Sequence, residues 1–225
     1  SERFTYITIA QTSVQAGQRF CDLGCGVGTP AIMLAQAKQC YVDGITISKH
    51  QQQAATLRAE DAGVSALVKF IVADALNLPV EDNTYDGGWF FESIFHMGHF
   101  PALREAHRVL KPGATLVIAD LVASEKTTAE FIKFGKEELH STYVSLAEYP
   151  KLLAETGFEL LDLVDITEQV SVPFPAKFAE AFTNHKAEIL DLVDEEAINR
   201  WLNIHEIISE NLGYVLVKAK NLKDS

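Results

Sequence analysis

Short apolar runs alternate with stretches of helical spacing over most of the chain, the pattern of a parallel sheet covered by helices on both faces. The first run is RFCDL at residues 19–23, and a glycine-rich turn leads from it into a predicted helix over 29–39 that tolerates Pro30 in its first turn. A second strand is predicted over 41–47. Ser48, with Gln51 three residues on, reads as a capping box that opens a helix lasting to about residue 61 and stopped by Gly63. Further strands are predicted over 67–73, 85–91 and 114–119. A helix over 100–110 precedes the last of these, and Lys111-Pro112-Gly113 ends it sharply.

Two more strands are predicted over 158–166 and 214–219. The stretch between them is too long for an ordinary connection and reads as a helical cap, residues 173–212. A second cover is expected over 121–145, where Phe131, Phe134 and Leu139 recur at helical spacing among charges. The sequence contains no internal repeat, low-complexity tract or Pro/Ser-rich linker, so residues 1–225 are expected to form a single domain.

The balance of 19 basic against 31 acidic residues gives a net charge of −12. Such a surface repels phosphate backbones, and no Lys/Arg cluster reverses it locally, which argues against nucleic acid as a substrate. No apolar run reaches the roughly 18 residues a membrane-spanning helix needs, and the first ten residues lack a signal-peptide core. The expectation is a soluble, cytoplasmic protein without membrane insertion; a homo-oligomer is compatible with the sequence. Cys21 and Cys25 stand in a C-x-x-x-C spacing with no further ligand cluster downstream. They read as small, soft fillers beside a tight turn, and no metal is expected.

The segment Asp22-Leu23-Gly24-Cys25-Gly26-Val27-Gly28 follows a strand and opens a helix, so its backbone can pass close to a ligand and present helix N–H groups to it. The dinucleotide fingerprint G-x-G-x-x-G would need glycine at position 29, where Thr29 stands. A G-x-G-x-G turn preceded by an acid instead suits a ligand with a sulfonium and an amino-acid tail, whose ammonium Asp22 would approach. The alternative for Asp22 is a turn carboxylate.

Taken with Gly44 to Ser48, Val72 to Ala75, Tyr85-Asp86 and Arg108 to Gly113, this turn resembles the class I S-adenosylmethionine (SAM)-dependent methyltransferases, in the branch that methylates sugars, polyketides, quinones and other small metabolites. The resemblance implies an α/β fold: a Rossmann-like, doubly wound, mostly parallel seven-stranded sheet with an antiparallel last strand and helical cap insertions. It implies SAM as cofactor and S-adenosylhomocysteine as product. It also implies a cofactor site made of Asp22, Gly24, Cys25, Gly26 and Gly28, with Asp74 and Ala75 facing the adenine. Where many relatives bind the ribose with an acid, this chain offers Thr46, Ser48 and Gln51, the last two equally readable as a helix cap. Relatives usually carry a further N-terminal helical segment over the cofactor.

Methyl transfer from a sulfonium is an in-line displacement from an already activated donor, so alignment and desolvation can supply most of the rate. A hydroxyl acceptor must still lose its proton. Ligands of open parallel sheets bind outside the carboxyl ends of the strands, which directs attention to Phe90-Phe91-Glu92-Ser93-Ile94-Phe95-His96-Met97. This stretch resembles the F-E-S-x-H-H-M of sugar O-methylating relatives, with Phe95 in place of the first histidine. Glu92 is a candidate cofactor contact and His96 a candidate base; Asp120 matches an acid that assists catalysis in some relatives. His99 reads as a surface or capping residue; His140 and Tyr143, in the first cover, could reach over an acceptor but carry no motif and read as surface residues. Phe131, Phe134, Phe174, Phe178, Phe182 and Trp201 suit either an apolar acceptor pocket or plain core. The expected activity is methyl transfer to a small, secondary-metabolite acceptor, with oxygen favoured. The alternatives are a SAM-binding protein of the same fold without methyl transfer, such as a cyclase, and a nicotinamide-dependent oxidoreductase.

Overall fold

The computed structural model describes residues 2–170, 180, 182–184 and 194–223. A helix, α1 (Glu2–Gln11), leads into β1 (Arg19–Leu23), α2 (Thr29–Lys38), β2 (Tyr41–Thr46), α3 (Lys49–Asp61), β3 (Val68–Val72) and β4 (Tyr85–Phe91). A short 3-10 turn (Ile94–His96) separates β4 from α4 (His99–Val109), which runs directly into β5 (Leu110–Ala123). Then follow α5 (Ala129–Glu138), α6 (Tyr149–Glu155), β6 (Phe158–Asp165), α7 (Thr167–Val170), α8 (Glu195–Asn211) and β7 (Leu212–Asn221). The strands form one seven-stranded sheet in the order β3-β2-β1-β4-β5-β7-β6. The first five pair in parallel, and β7 is antiparallel to both β5 and β6. The Rossmann-like architecture expected from the sequence is therefore present.

Each face of the sheet carries its own core. On one, Ala102, Leu103, Ala106 and Val109 of α4 and Tyr149 and Leu153 of α6 pack on Leu116, Ile118 and Val215. On the other, α1, α2 and α3 cover Phe20, Val42, Trp89, Val117 and Ala119. The chain reverses direction across the sheet between β1 and β4, which are neighbours. That is the topological switch point where open α/β sheets bind ligands.

Two boundaries differ from the sequence expectation. Lys111-Pro112-Gly113 lies inside β5, because Leu110 already pairs with Tyr85 and a register shift before Gly87 absorbs the extra residues. Asn221 Nδ2 donates to the Leu110 carbonyl at 2.9 Å and so fastens this irregular start to the end of β7. At its other end β5 continues to Ala123, paired with β7, so the expected cover over 121–145 begins only beyond it. Of the cap expected over 173–212, α8 is described; Phe174, Phe178 and the side chain of Trp201 lie outside the described residues. No described helix is long and apolar enough to cross a membrane.

The glycine turn is held by packing as well as conformation. Gly28 has φ +81°, and a Cβ there would meet the ring of Phe70 and the methyl of Ala55. Gly26 also has positive φ, but a Cβ there would meet nothing within 4 Å. Gly28→Ala is therefore expected to cost about 3 kcal/mol through strain and overpacking. Gly26→Ala should cost about 1 kcal/mol, through strain alone. Thermal melts should show a Tm drop of about 6–12 °C for the first and well under half that for the second; equal drops would refute the packing argument.

Candidate active site

A cavity of about 450 Å3 opens where β1, β2, β3 and β4 end. Gly24 and Gly26 form its floor, Thr46, Ile47 and Gln51 one wall, Ala73 to Leu76 another, and Glu92, Ser93, His96 and Met97 the side toward β4. Thr46 Oγ1 donates to Gln51 Oε1 at 2.8 Å and accepts from the Ser48 N–H at 3.2 Å, which holds the Gln51 amide over the end of β2. Ser48 caps α3 by accepting from Gln51 N at 3.3 Å and does not line the cavity. Half of the predicted capping box forms, and its glutamine side chain serves the cavity. Asp74 Oδ1 accepts from Leu76 N at 2.9 Å, closing an Asx turn that presents this exposed carboxylate and Ala75 at the rim.

Three of the predicted cofactor residues stand just behind the wall. Gly28 packs on Phe70, and Cys25 is buried. Asp22 is fully buried, and neither carboxylate oxygen has a hydrogen-bond partner. Burial pushes its carboxyl up to about 7; the indole N–H of Trp89 pulls the other way but is itself without a partner at hydrogen-bond distance. Such an orphaned acid suits a cation brought to the glycine turn. Open space above Gly26, a hydroxyl and amide at Thr46 and Gln51, and an acceptor at Asp74 complete a donor set that fits an amino-acid tail, a ribose and an adenine. Among the described residues, no group of three or more His, Cys, Asp and Glu is placed to hold a metal ion. Burial also pushes the Cys21 and Cys25 thiols up and holds them protonated.

A second cavity, about 490 Å3, adjoins the first, and Glu92 and His96 line both. Phe95, Leu121, Leu139, Val170, Ile204 and Ile208 make it mostly apolar, with Ser141, Tyr143, His205, Ser209 and Tyr214 as its remaining polar members. His96 Nδ1 lies 3.1 Å from Ser141 Oγ and 3.3 Å from the His140 carbonyl, contacts that orient the ring. Glu92 has φ +54°, a conformation non-glycine residues seldom adopt, and its N–H donates to the Ala119 carbonyl.

Several residues fall elsewhere than the sequence suggests. Asp120 lines neither cavity. Its side chain is fully buried on the α4 face, where Oδ2 is 2.7 Å from His99 Nε2 and accepts from the Tyr149 hydroxyl at 2.5 Å. His99 is buried with it, and is not the surface or capping residue its position ahead of a helix suggested; the spacing His99, Ala102, Leu103, Ala106 places it on the buried stripe of α4. Tyr143 is a cavity wall, backed by Phe131 at 5.7 Å between ring centroids. Phe131 and Phe134 thus support the pocket from behind without lining it. Tyr214 went unremarked in the sequence, where only its cross-strand pairing with cavity-lining Leu121 could have flagged it.

The raised Asp22 acid carries a stability signature. Its folded-state value lies above that of an unfolded carboxyl, so the folded state holds the proton more tightly and stability falls as pH rises between about 4 and 7. Asp22→Asn removes this dependence. In urea denaturation without ligand, the variant should gain about 2–4 kcal/mol on wild type between pH 4 and 8, levelling off above 7. A difference that is flat with pH would refute the buried-acid assignment.

Residues 21–118 match a family model described as a methyltransferase domain. The chain is 33% identical over 229 residues to (+)-O-methylkolavelool synthase of Herpetosiphon aurantiacus, covering 97% of this chain and 79% of that protein. It is 36% identical over 216 residues to 27-O-demethylrifamycin SV methyltransferase of Amycolatopsis mediterranei, covering 92% and 78%. Among solved structures it is similar to the 4+2 cyclase SpnF, with a TM-score of 0.81 at 29% identity, covering 98% of this chain and 81% of that one. The chain belongs to the class I SAM-dependent methyltransferases that act on small metabolites.

Proposed function

We propose that the protein transfers the SAM methyl group to a hydroxyl oxygen of an apolar natural-product acceptor. The observation that carries this reading is the apolar cavity that meets the cofactor cavity at Glu92 and His96. No lysine or arginine is among the described residues that line it, so a phosphorylated acceptor would find no counter-charge there. The two curated relatives named above carry an O-methyl or O-demethyl compound in their names, which points to oxygen.

Bound SAM supplies an electrophilic methyl group that needs no further activation. The chain's part is to hold acceptor and donor in line and to keep water out, work done by the floor at Gly24 and Gly26 and by the apolar walls of both cavities. Ser141 and the His140 carbonyl engage Nδ1 of His96, which leaves Nε2 to take the acceptor's proton as the new bond forms. Asp120 acts at a distance in this reading: it fixes α4 and α6 through His99 and Tyr149 and does not touch the reactants.

Against an alcohol acceptor, His96→Ala should lower kcat by about 10²–10³ while leaving the SAM Kd within about twofold. Full retention of kcat would remove the base. Gln51→Ala should do the reverse, weakening SAM binding about five- to tenfold, as loss of a hydrogen-bonding group does, with kcat at saturation nearly unchanged. Likeness to SpnF favours a second reading, cofactor binding in support of a cyclisation. Tight SAM binding with no S-adenosylhomocysteine formed over a broad panel of alcohols would select it.

A further inference from the structure

Tyr214 is 2% exposed, lines the apolar cavity, and its hydroxyl has no partner at hydrogen-bond distance, the Glu92 carboxylate approaching it without closing a bond. A buried hydroxyl left unmade costs stability, so its retention calls for a use. Nothing about the residue is loosely placed. Its backbone N–H donates to Thr167 Oγ1 at 2.8 Å, its carbonyl accepts from Ile166 N at 2.8 Å, and its ring stands edge-on to Phe4 with centroids 5.3 Å apart. Beside it stands Glu92, the cavity residue held at φ +54°. That conformation also costs free energy, and strained residues of this kind cluster at functional sites.

We propose that Tyr214 and Glu92 form the docking site for the acceptor's hydroxyl before transfer, Tyr214 donating a hydrogen bond to its oxygen and Glu92 accepting one from its O–H, which turns to His96 Nε2 when the proton leaves. The pair offers one donor and one acceptor, and a neutral hydroxyl needs both. Burial, with Glu92 adding to it, pushes the Tyr214 hydroxyl well above its ordinary range, so it stays a donor at any physiological pH. An acceptor bearing a carboxylate or phosphate would meet the Glu92 carboxylate with no lysine or arginine among the described residues of the cavity wall to offset it. The subsite therefore selects a neutral alcohol or phenol on an apolar skeleton. Because Glu92 also lines the cofactor cavity, a hydroxyl docked there sits at the junction of the two spaces.

This inference rests on the O-methylation reading, and the following experiment separates the two. Protein saturated with S-adenosylhomocysteine is titrated with three fluorescent probes: 2-naphthol, 2-methylnaphthalene, which replaces the hydroxyl by a methyl of similar size, and 2-naphthoate. Wild type should bind the naphthol about tenfold more tightly than the methyl analogue and reject the naphthoate. Tyr214→Phe and Glu92→Gln should each cut the naphthol preference about five- to tenfold. Tyr214→Phe should also melt at or above the wild-type temperature and bind S-adenosylhomocysteine as well as wild type does, because the lost hydroxyl bonds nothing in the protein. Equal binding of naphthol and methylnaphthalene by wild type, including no binding of either up to their solubility limits, overturns the subsite. So does an undiminished preference in Tyr214→Phe, or loss of stability in that variant. Methyl transfer from SAM to alcohols is scored separately: its absence with the naphthol preference intact removes the O-methylation reading and leaves the hydroxyl subsite standing.

Discussion

Ser93 Oγ donates to the Leu23 carbonyl at 2.5 Å, and its Cβ stands 2.5 Å from where a side chain on Gly24 would begin. This contact joins the exits of β1 and β4, the two strands between which the sheet changes direction. Any larger residue at 24 would push the strand ends apart, and the Gly24–Gly26 floor would no longer meet the β4 exit. The approach also constrains what precedes Ser93. The chain leaves β4 through Glu92 in a left-handed conformation, whose N–H still reaches the Ala119 carbonyl of β5. One tight contact thus closes the cofactor cavity on one side and delivers Glu92 and His96 to the second cavity on the other.

The period-two alternation of β5 and β7 then divides the polar residues between structure and chemistry. Asp120, of the same parity as Leu116 and Ile118, turns toward α4 and α6, where His99 and Tyr149 bind it. Leu121 and its cross-strand neighbour Tyr214 turn the other way, and both reach the apolar cavity. Adjacent residues at the end of one strand therefore hold the scaffold and line the apolar cavity respectively.

The same parity explains what was legible in the sequence. Strand and helix order could be read because each run carries its own period, and the glycine turn, Thr46, Gln51, Asp74 and Glu92 could be placed because they sit at strand exits. Asp120 was assigned to chemistry by resemblance, although the alternation from Leu116 through Ile118 already assigned it to the α4 face. Tyr143 and Tyr214 carry no motif. They reach the cavity only through long-range placement: Tyr143 follows α5 as the chain returns past Phe95, and Tyr214 is the third residue of an antiparallel strand whose register local sequence does not fix. Lys111-Pro112-Gly113 misled in the opposite sense. A helix does end at Val109, but Pro112 is accommodated where the β4–β5 register shifts, so the strand begins at Leu110, four residues before the expected start at 114.

Charge supplies the remaining constraint. Two carboxylates at the site are placed in opposite environments: Asp22 is sealed under the glycine turn without a partner at hydrogen-bond distance, and Glu92 is exposed between the cavities. A sulfonium cofactor brings positive charge into that same junction, and its ammonium end would ease the buried acid. Transfer consumes the sulfonium charge, so the field that favours the donor weakens with the product. Under the proposed O-methylation, electrostatics at the turn serve cofactor exchange, and selection of the acceptor falls to the shape and the few polar groups of the second cavity.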